Sequence, residues 1–301
     1  MVGGSRDTTP TLLFSALHEE WLIHAPGREG MIPQAARVQA DDQPCPFCPG
    51  STETPQAYDT QILPSRHPFL SGVVTSEHGA APVHSVLLYA SGHDVILADL
   101  SPQRLTRLLR RIAEHTRLLM TGGCAAVYVF EVHGDVLGPT VAHPHGQILG
   151  FSFVPDKMTR LGRPCALCAA ADMAALRLIE LETVEFGVSQ WSRLPFEMLI
   201  YPRRHISELG QCTNAELRDL AAGLHHALRL IGDPAVPYIL NIMQVSPSKA
   251  GEHHLRIELV PFNKPNGTLK MAGACELFLG IYINPVDPVR AAALLRQRLA
   301  R

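Results

Sequence analysis

Ala142-His143-Pro144-His145-Gly146-Gln147 is the stretch whose reading decides the rest of the chain. An apolar run at 125–130 and a Gly-rich loop holding Gly134 and Gly138 precede it; a second apolar run, 148–154, follows. On an extended backbone, residues two apart point to one face, so His143 and His145 share a side. Pro144 fixes the backbone between them, and Gly146 lets a ligand come close. A histidine here can be a metal ligand, a base or a nucleophile, or sit in a merely structural turn. The surrounding sequence has to decide.

The chain has 301 residues, the length of one large or two medium domains. With 26 Lys and Arg against 28 Asp and Glu, the formal charge of −2 offers no general attraction to nucleic acid or anionic membrane. No apolar run reaches the roughly 18–20 residues that span a bilayer, and the first ten residues lack the apolar core of a signal peptide. The expectation is a soluble, cytoplasmic protein. Four of the seven cysteines form two Cys-x-x-Cys pairs. In a reducing compartment that pattern speaks for metal or redox chemistry rather than a disulfide framework.

In order along the chain, 20–24 reads as an edge strand running into a loop with Arg28. Pro44-Cys45-Pro46-Phe47-Cys48-Pro49-Gly50 reads as a tight knuckle. Pro49-Gly50 rules against the helix that a thioredoxin-like pair would open, so metal is favoured there. Residues 62–70, including Arg66, form a short strand and turn, and 85–89 is a strand ending at His93. Ser101 caps a helix with Pro102 at its first position, closed by Gly122-Gly123. The second half repeats such parts. Cys165-x-x-Cys168 stands before an Ala-rich stretch, 169–181, that reads as helical. Strands are expected over 183–189, 196–201, 237–245 and 252–261. Thr213-Asn214-Ala215-Glu216 is a capping box opening a helix to 231, and a last helix starts at Asp287-Pro288.

Laid over each other, the halves share an order of parts. Cys45-x-x-Cys48, His93 and His143-x-His145 match Cys165-x-x-Cys168, His205 and His254-x-Arg256. His93 to His143 is 50 residues and His205 to His254 is 49. This is the internal period of a duplicated module. Two thiolates and two imidazoles make a closed tetrahedral Zn²⁺ site with no position left for water. Cys45, Cys48, His93 and His143 are expected to form one such site. Cys165, Cys168, His205 and His254 form a second, unless its cysteines merely pack. His145 is then free, held beside a metal-tethered neighbour. Its counterpart Arg256 stays charged and cannot act as a nucleophile.

The arrangement resembles the galactose-1-phosphate uridylyltransferase family of the histidine-triad (HIT) superfamily, over nearly the whole chain. The residues that carry the resemblance are Phe130-Glu131, the Gly-rich loop and His143-Pro144-His145-Gly146-Gln147. Pro195-Phe196-Glu197 through His205 and Gly273-x-x-Glu276 through Asn284-Pro285 add to it. Val132 replaces the family's usual Asn, and Pro139-Thr140-Val141-Ala142 replaces its Cys-Ser-Asn run. The resemblance implies an α+β fold of two tandem HIT-like repeats, 1–158 and 159–301. Each would be a mainly antiparallel sheet with helices on one side, and the second would be degenerate. It implies a homodimer and a place in galactose and nucleotide-sugar metabolism. It further implies that His145 attacks the α-phosphorus of an NDP-sugar, releases sugar 1-phosphate, and passes the nucleotidyl group to a second sugar 1-phosphate. Gln147 stands where hydrolytic relatives carry a third histidine. An amide binds a phosphoryl oxygen but is no general acid, so transfer is expected over hydrolysis. Arg28 and Arg66 would hold diphosphate or nucleotide, and Glu276 would accept hydrogen bonds from sugar hydroxyls.

Two other readings remain. A related nucleotidylyltransferase or phosphorylase would use ADP- or GDP-sugars. A zinc-containing nucleic-acid-binding or scaffold protein is the reading from another class. It lacks a basic stripe with interleaved aromatics, and the joint presence of His145 and Gln147 speaks against a scaffold.

Overall fold

The computed structural model describes residues 11–15, 20–24, 45–69, 82–160, 165–169 and 173–300. Strands β1 (Thr11–Ser15) and β2 (Glu20–His24) form an antiparallel pair of their own. The other nine described strands form one sheet. They are β3 (Gln61–Pro64), β4 (Val83–Leu88), β5 (Ala126–His133), β6 (Gly146–Phe151), β7 (Arg177–Glu180), β8 (Val184–Val188), β9 (Met198–Pro202), β10 (Tyr238–Val245) and β11 (Arg256–Pro261). Their order is β3-β4-β6-β5-β10-β11-β9-β8-β7, and all neighbours are antiparallel. The fold is therefore α+β with one large sheet. The sheets expected of the two halves are continuous: β5 and β10 pair along eight residues, Ala126 to His133 against Val245 to Tyr238. Joining them pairs the backbone N–H and C=O groups that a sheet edge would leave open.

Strand alternation gives the sheet two unlike faces. Ile148, Val129, Ile242, Ile257 and Ile200 lie opposite one another across five strands and are buried. Helices α1 (Pro102–Thr121), α2 (Asn214–Ile231) and α3 (Pro288–Leu299) cover this face. Leu105, Leu108, Leu109 and Ile112 of α1 and Leu217, Leu220 and Leu224 of α2 recur at helical spacing and meet it. The expected helix starts are present. Ser101 accepts the Arg104 N–H; Thr213 and Glu216 close a reciprocal capping box; Asp287 accepts the N–H groups of Val289 and Arg290.

The opposite face carries the row Gln147, Phe130, Asn241 and Glu258. Polar and aromatic groups thus face away from the apolar row, and among the described residues no long helix covers them. None of the described helices is long and apolar enough to cross a membrane.

The helix read over 169–181 is corrected. Residues 174–176 form a turn, and Arg177–Glu180 is the edge strand β7 paired to β8. A Cβ at Gly187 would stand 2.6 Å from the Leu176 carbonyl oxygen, so the chain docks tightly on β8. Arg177 is fixed by Glu185 across the strands at 2.5 Å. Tertiary pairing here outweighs the helix propensity of the alanines.

Candidate active site and two sulfur–imidazole clusters

His143 and His145 immediately precede β6, and the Gly-rich loop beside them needs its glycines. Gly134 has φ +100° and Gly138 has φ +78°. A Cβ at Gly134 would also meet Pro237 at 2.8 Å.

Cys45, Cys48, His93 and His143 converge, with one donor atom from each within 4.8 Å of the others. His93 Nδ1 lies 3.4 Å from Cys48 Sγ, and His143 Nδ1 lies 3.7 Å from both sulfurs. Metal–sulfur and metal–nitrogen bonds of about 2.3 and 2.0 Å at tetrahedral angles put S and N roughly 3.5 Å apart, so this donor set fits Zn²⁺. His143 Nε2–H donates to the Ala90 carbonyl oxygen at 2.9 Å, which leaves the Nδ1 lone pair facing the sulfurs.

Cys165, Cys168, His205 and His254 converge in the same way. His205 Nδ1 is 3.2 Å from Cys168 Sγ, and His254 Nδ1 is 3.5 Å from both sulfurs. His254 Nε2 is fixed by the Pro202 carbonyl oxygen at 2.9 Å. Ala90 lies three residues before His93, and Pro202 three before His205. Burial and the neighbouring Cys165 push the Cys168 thiol up to about 11. A divalent cation between the sulfurs would reverse that shift.

His145 stands apart from the first cluster. Its Nδ1–H donates to the carbonyl oxygen of His143 at 2.9 Å. Among the described residues its Nε2 has no hydrogen-bond partner, and the ring lines a cavity of about 470 Å³ with His93, Glu131, Val132, Asp135 and Pro144. Burial holds the ring below the ordinary imidazole range, with the His143 carbonyl pulling the other way. At neutral pH such an imidazole is uncharged and presents a lone pair on Nε2. Gln147 lies two residues on, its Oε1 held 2.8 Å from His84 Nε2.

Glu131 closes the floor of this cavity. Tyr89 and Tyr238 donate to its two oxygens at 2.5 and 3.0 Å. Burial pushes the carboxyl up to about 7, against the pull of those hydroxyls. An unfolded Glu titrates near 4.3. Its contribution is thus full below about pH 4.3 and is lost as pH rises through about 7. Glu131→Gln should flatten the fall in stability that wild type shows between about pH 5 and 7, by up to about 1.4 kcal/mol per pH unit. Urea unfolding of both proteins at pH 5, 6 and 7 checks this; parallel slopes would contradict it.

The second half repeats the backbone contact with other side chains. Arg256 Nη1 donates to the His254 carbonyl oxygen at 3.1 Å, as His145 does to that of His143. Glu258 takes the place of Gln147 and pairs with Arg256 at 2.7 Å. Arg193 bridges Glu258 and Glu197 at 3.2 and 3.1 Å. These charges line a cavity of about 410 Å³ beside Trp191 and Tyr282. Burial opposes ionisation of Glu258, but the two guanidinium groups hold its carboxyl below the usual range. The guanidiniums are therefore neutralised internally, and the imidazole among the described lining residues, His254, faces the sulfurs through Nδ1 and the Pro202 carbonyl oxygen through Nε2.

Of the residues expected to bind substrate, Arg28 lies outside the described residues. Arg66 is exposed, pairs with Glu53 at 3.0 Å and donates to Thr52, and it does not line the His145 cavity. Glu276 is buried, and its oxygens already accept from the protein. Lys270 and the N–H groups of Gly273 and Ile283 hold its oxygens at 2.7, 3.0 and 3.3 Å, keeping the carboxyl down to about 2. Sequence reasoning missed His84 and Glu131 as site residues. Each is a polar residue in a largely apolar strand, and for Glu131 its place in the Phe130-Glu131 pair was a second signal.

Residues 74–155 match the family described as galactose-1-phosphate uridyl transferase, N-terminal domain. A galactose-1-phosphate uridylyltransferase of Thermotoga maritima is 28% identical, over 95% of this chain and 98% of the relative. An ADP-glucose phosphorylase of Arabidopsis thaliana is 23% identical, over 98% of this chain and 96% of its own length. A solved uridylyltransferase structure superimposes with a TM-score of 0.81 at 25% identity, covering 96% of this chain and 98% of that one. With the His-Pro-His-Gly-Gln segment inside the matched region, the chain is similar to galactose-1-phosphate uridylyltransferases over nearly its whole length.

Proposed function

We propose that the protein exchanges a nucleoside monophosphate between an NDP-sugar and a sugar 1-phosphate, as a UDP-glucose–hexose-1-phosphate uridylyltransferase. The observation that carries this is His145: Nδ1–H tied to a backbone carbonyl and Nε2 open to the cavity. The Nε2 lone pair attacks the α-phosphorus, and a P–N bond forms. The P–O bond to the β-phosphate oxygen breaks, and its electron pair leaves on sugar 1-phosphate. An oxygen of a second sugar 1-phosphate then attacks the same phosphorus, and the P–N pair returns to the imidazole. Neither step requires a proton donor, so Gln147 serves by hydrogen bonding to a phosphoryl oxygen. Arg28 and Arg66 remain the proposed phosphate contacts and Glu276 the proposed sugar contact. For Arg66 and Glu276 this requires exchange of the partners they hold here.

The two sulfur–imidazole sets would each hold a Zn²⁺ that fastens a Cys loop to two strand ends. Chain duplication, with repeats 1–158 and 159–301, is supported by the sheet order. Outward from the centre it reads β5-β6-β4-β3 on one side and β10-β11-β9-β8 on the other. The paired Ala90 and Pro202 contacts support it as well. A cytoplasmic homodimer is the proposed form. Leu277, Phe278, Leu279 and Ile281, 60–81% exposed, supply an apolar surface for it.

The ADP-glucose phosphorylase relative favours one second reading, in which inorganic phosphate is the acceptor and an ADP-sugar the donor. Initial rates with UDP-glucose or ADP-glucose, each against galactose 1-phosphate or phosphate, separate the two. The main reading expects UDP-glucose with galactose 1-phosphate and parallel double-reciprocal lines. ADP formed from ADP-glucose and phosphate would favour the second, and no transfer from either donor would end both.

A further inference from the structure

The amide of Gln147 has two ends of opposite chemistry, and only one suits a phosphoryl oxygen. The NH₂ end donates to it; the carbonyl end repels it. β4 lies beside β6 with Val86 opposite Gln147 and His84 opposite Leu149, so His84 is the diagonal neighbour of Gln147 on the face turned away from α1 and α2. The two side chains meet there, His84 Nε2 standing 2.8 Å from Gln147 Oε1. His84 is 7% exposed, and the ring of Phe69 packs on it at 4.7 Å. The imidazole is thus held at a fixed height above the strand. Oε1 can only accept, so the His84 nitrogen facing it carries the proton, and the NH₂ end of the amide is turned to the other side.

We propose that His84 is a positioning residue: by donating Nε2–H to Gln147 Oε1 it fixes the amide so that its NH₂ end serves the phosphoryl group during attack by His145. The inference rests on the nucleotidyl-transfer reading above. In this role His84 acts on the reacting phosphoryl group through Gln147. Without it the amide samples both orientations, and one of them opposes the charge that develops on the phosphoryl oxygens. Losing an aimed donor at such a place costs about 10²–10³ in rate, and losing only its aim costs less.

The test is the single-turnover rate of adduct formation from UDP-glucose and from ADP-glucose, with KM measured in parallel. His84→Phe keeps the ring and its packing on Phe69 while removing the N–H. It should slow adduct formation about 10- to 100-fold and move KM by less than about threefold. His84→Gln, which again offers an N–H, should recover most of the rate. In a Gln147→Ala background, adding His84→Phe should change nothing further, because the group being aimed is gone. If His84→Phe fails to fold, His84→Leu takes its place in the cycle with the same expectation. A His84→Phe rate equal to wild type, or losses that multiply in the double variant, would overturn the proposal and leave the functional reading standing. No adduct in wild type with either donor would overturn that reading and this inference with it.

Discussion

His145→Ala is expected to lower kcat for nucleotidyl transfer by about four to six orders of magnitude, the loss typical when a covalent nucleophile is removed. Among the described residues the other imidazoles near it are engaged: His133, in the same cavity, is tied through Nε2 to the Pro234 carbonyl oxygen and stacks on Tyr238. His93 and His143 turn Nδ1 toward cysteine sulfurs, and Gln147 has no nucleophilic nitrogen at neutral pH. The ring is half-buried and makes one backbone hydrogen bond, so the fold should survive, with Tm changed by a few degrees at most. His145→Arg copies the residue of the second half and should be equally inactive, since a guanidinium keeps its charge and offers no lone pair. Steady-state assays of both variants beside thermal melts check this. Activity above about 1% of wild type in either variant would mean that another group carries the nucleotide.

Metal removal should have the next largest effect, and the two clusters should differ in what they cost. The first ties the 45–50 loop to the end of β4 and to the residues preceding β6. The His143 carbonyl oxygen is the acceptor that orients His145, so losing this cluster should release the nucleophile as well as the loop. Structural zinc contributes about 10–16 kcal/mol of apparent binding energy in small domains. Even a fraction of that would lower Tm by about 10 °C or more in a chain of this size. Cys48→Ser is expected to lose one equivalent of bound zinc, that much thermal stability, and most of the activity of the molecules still folded. Cys168→Ser is expected to lose the other equivalent and comparable stability, with a far smaller loss of activity per folded molecule. Its cluster orients Arg256, which is already neutralised by Glu258. Elemental analysis with melts and assays of the two variants tests this. Equal activity losses would break the link between the first cluster and His145.

Much of this was readable before any coordinates because it rests on chemistry fixed at short range. A Cys-x-x-Cys pair and a His-x-His pair commit their residues to one side of a turn or strand. Matching spacings in the two halves then tie the distant pieces together. Ser101-Pro102 and Thr213-x-x-Glu216 announced their helices because capping is local. What the sequence did not announce was set by partners far along the chain. The stretch 169–181 looked helical, and β8 made part of it a strand. The match of Ala126–His133 to Tyr238–Val245 makes the sheets of the two halves continuous, and no local pattern encodes that pairing. Arg66 is expected to hold phosphate by its charge and Glu276 to accept from sugar hydroxyls, and the protein partner that each holds here is set by the fold rather than by local sequence. His84 went unnoticed because its role depends on β4 lying beside β6.

Mass spectrometry of the protein mixed with UDP-glucose, without acceptor, tests the central chemistry most directly. The expected result is a UMP-sized mass gain, labile to acid, located on the peptide containing His145 and absent from His145→Ala. A gain on any other residue, or catalytic turnover with no gain at all, would contradict it.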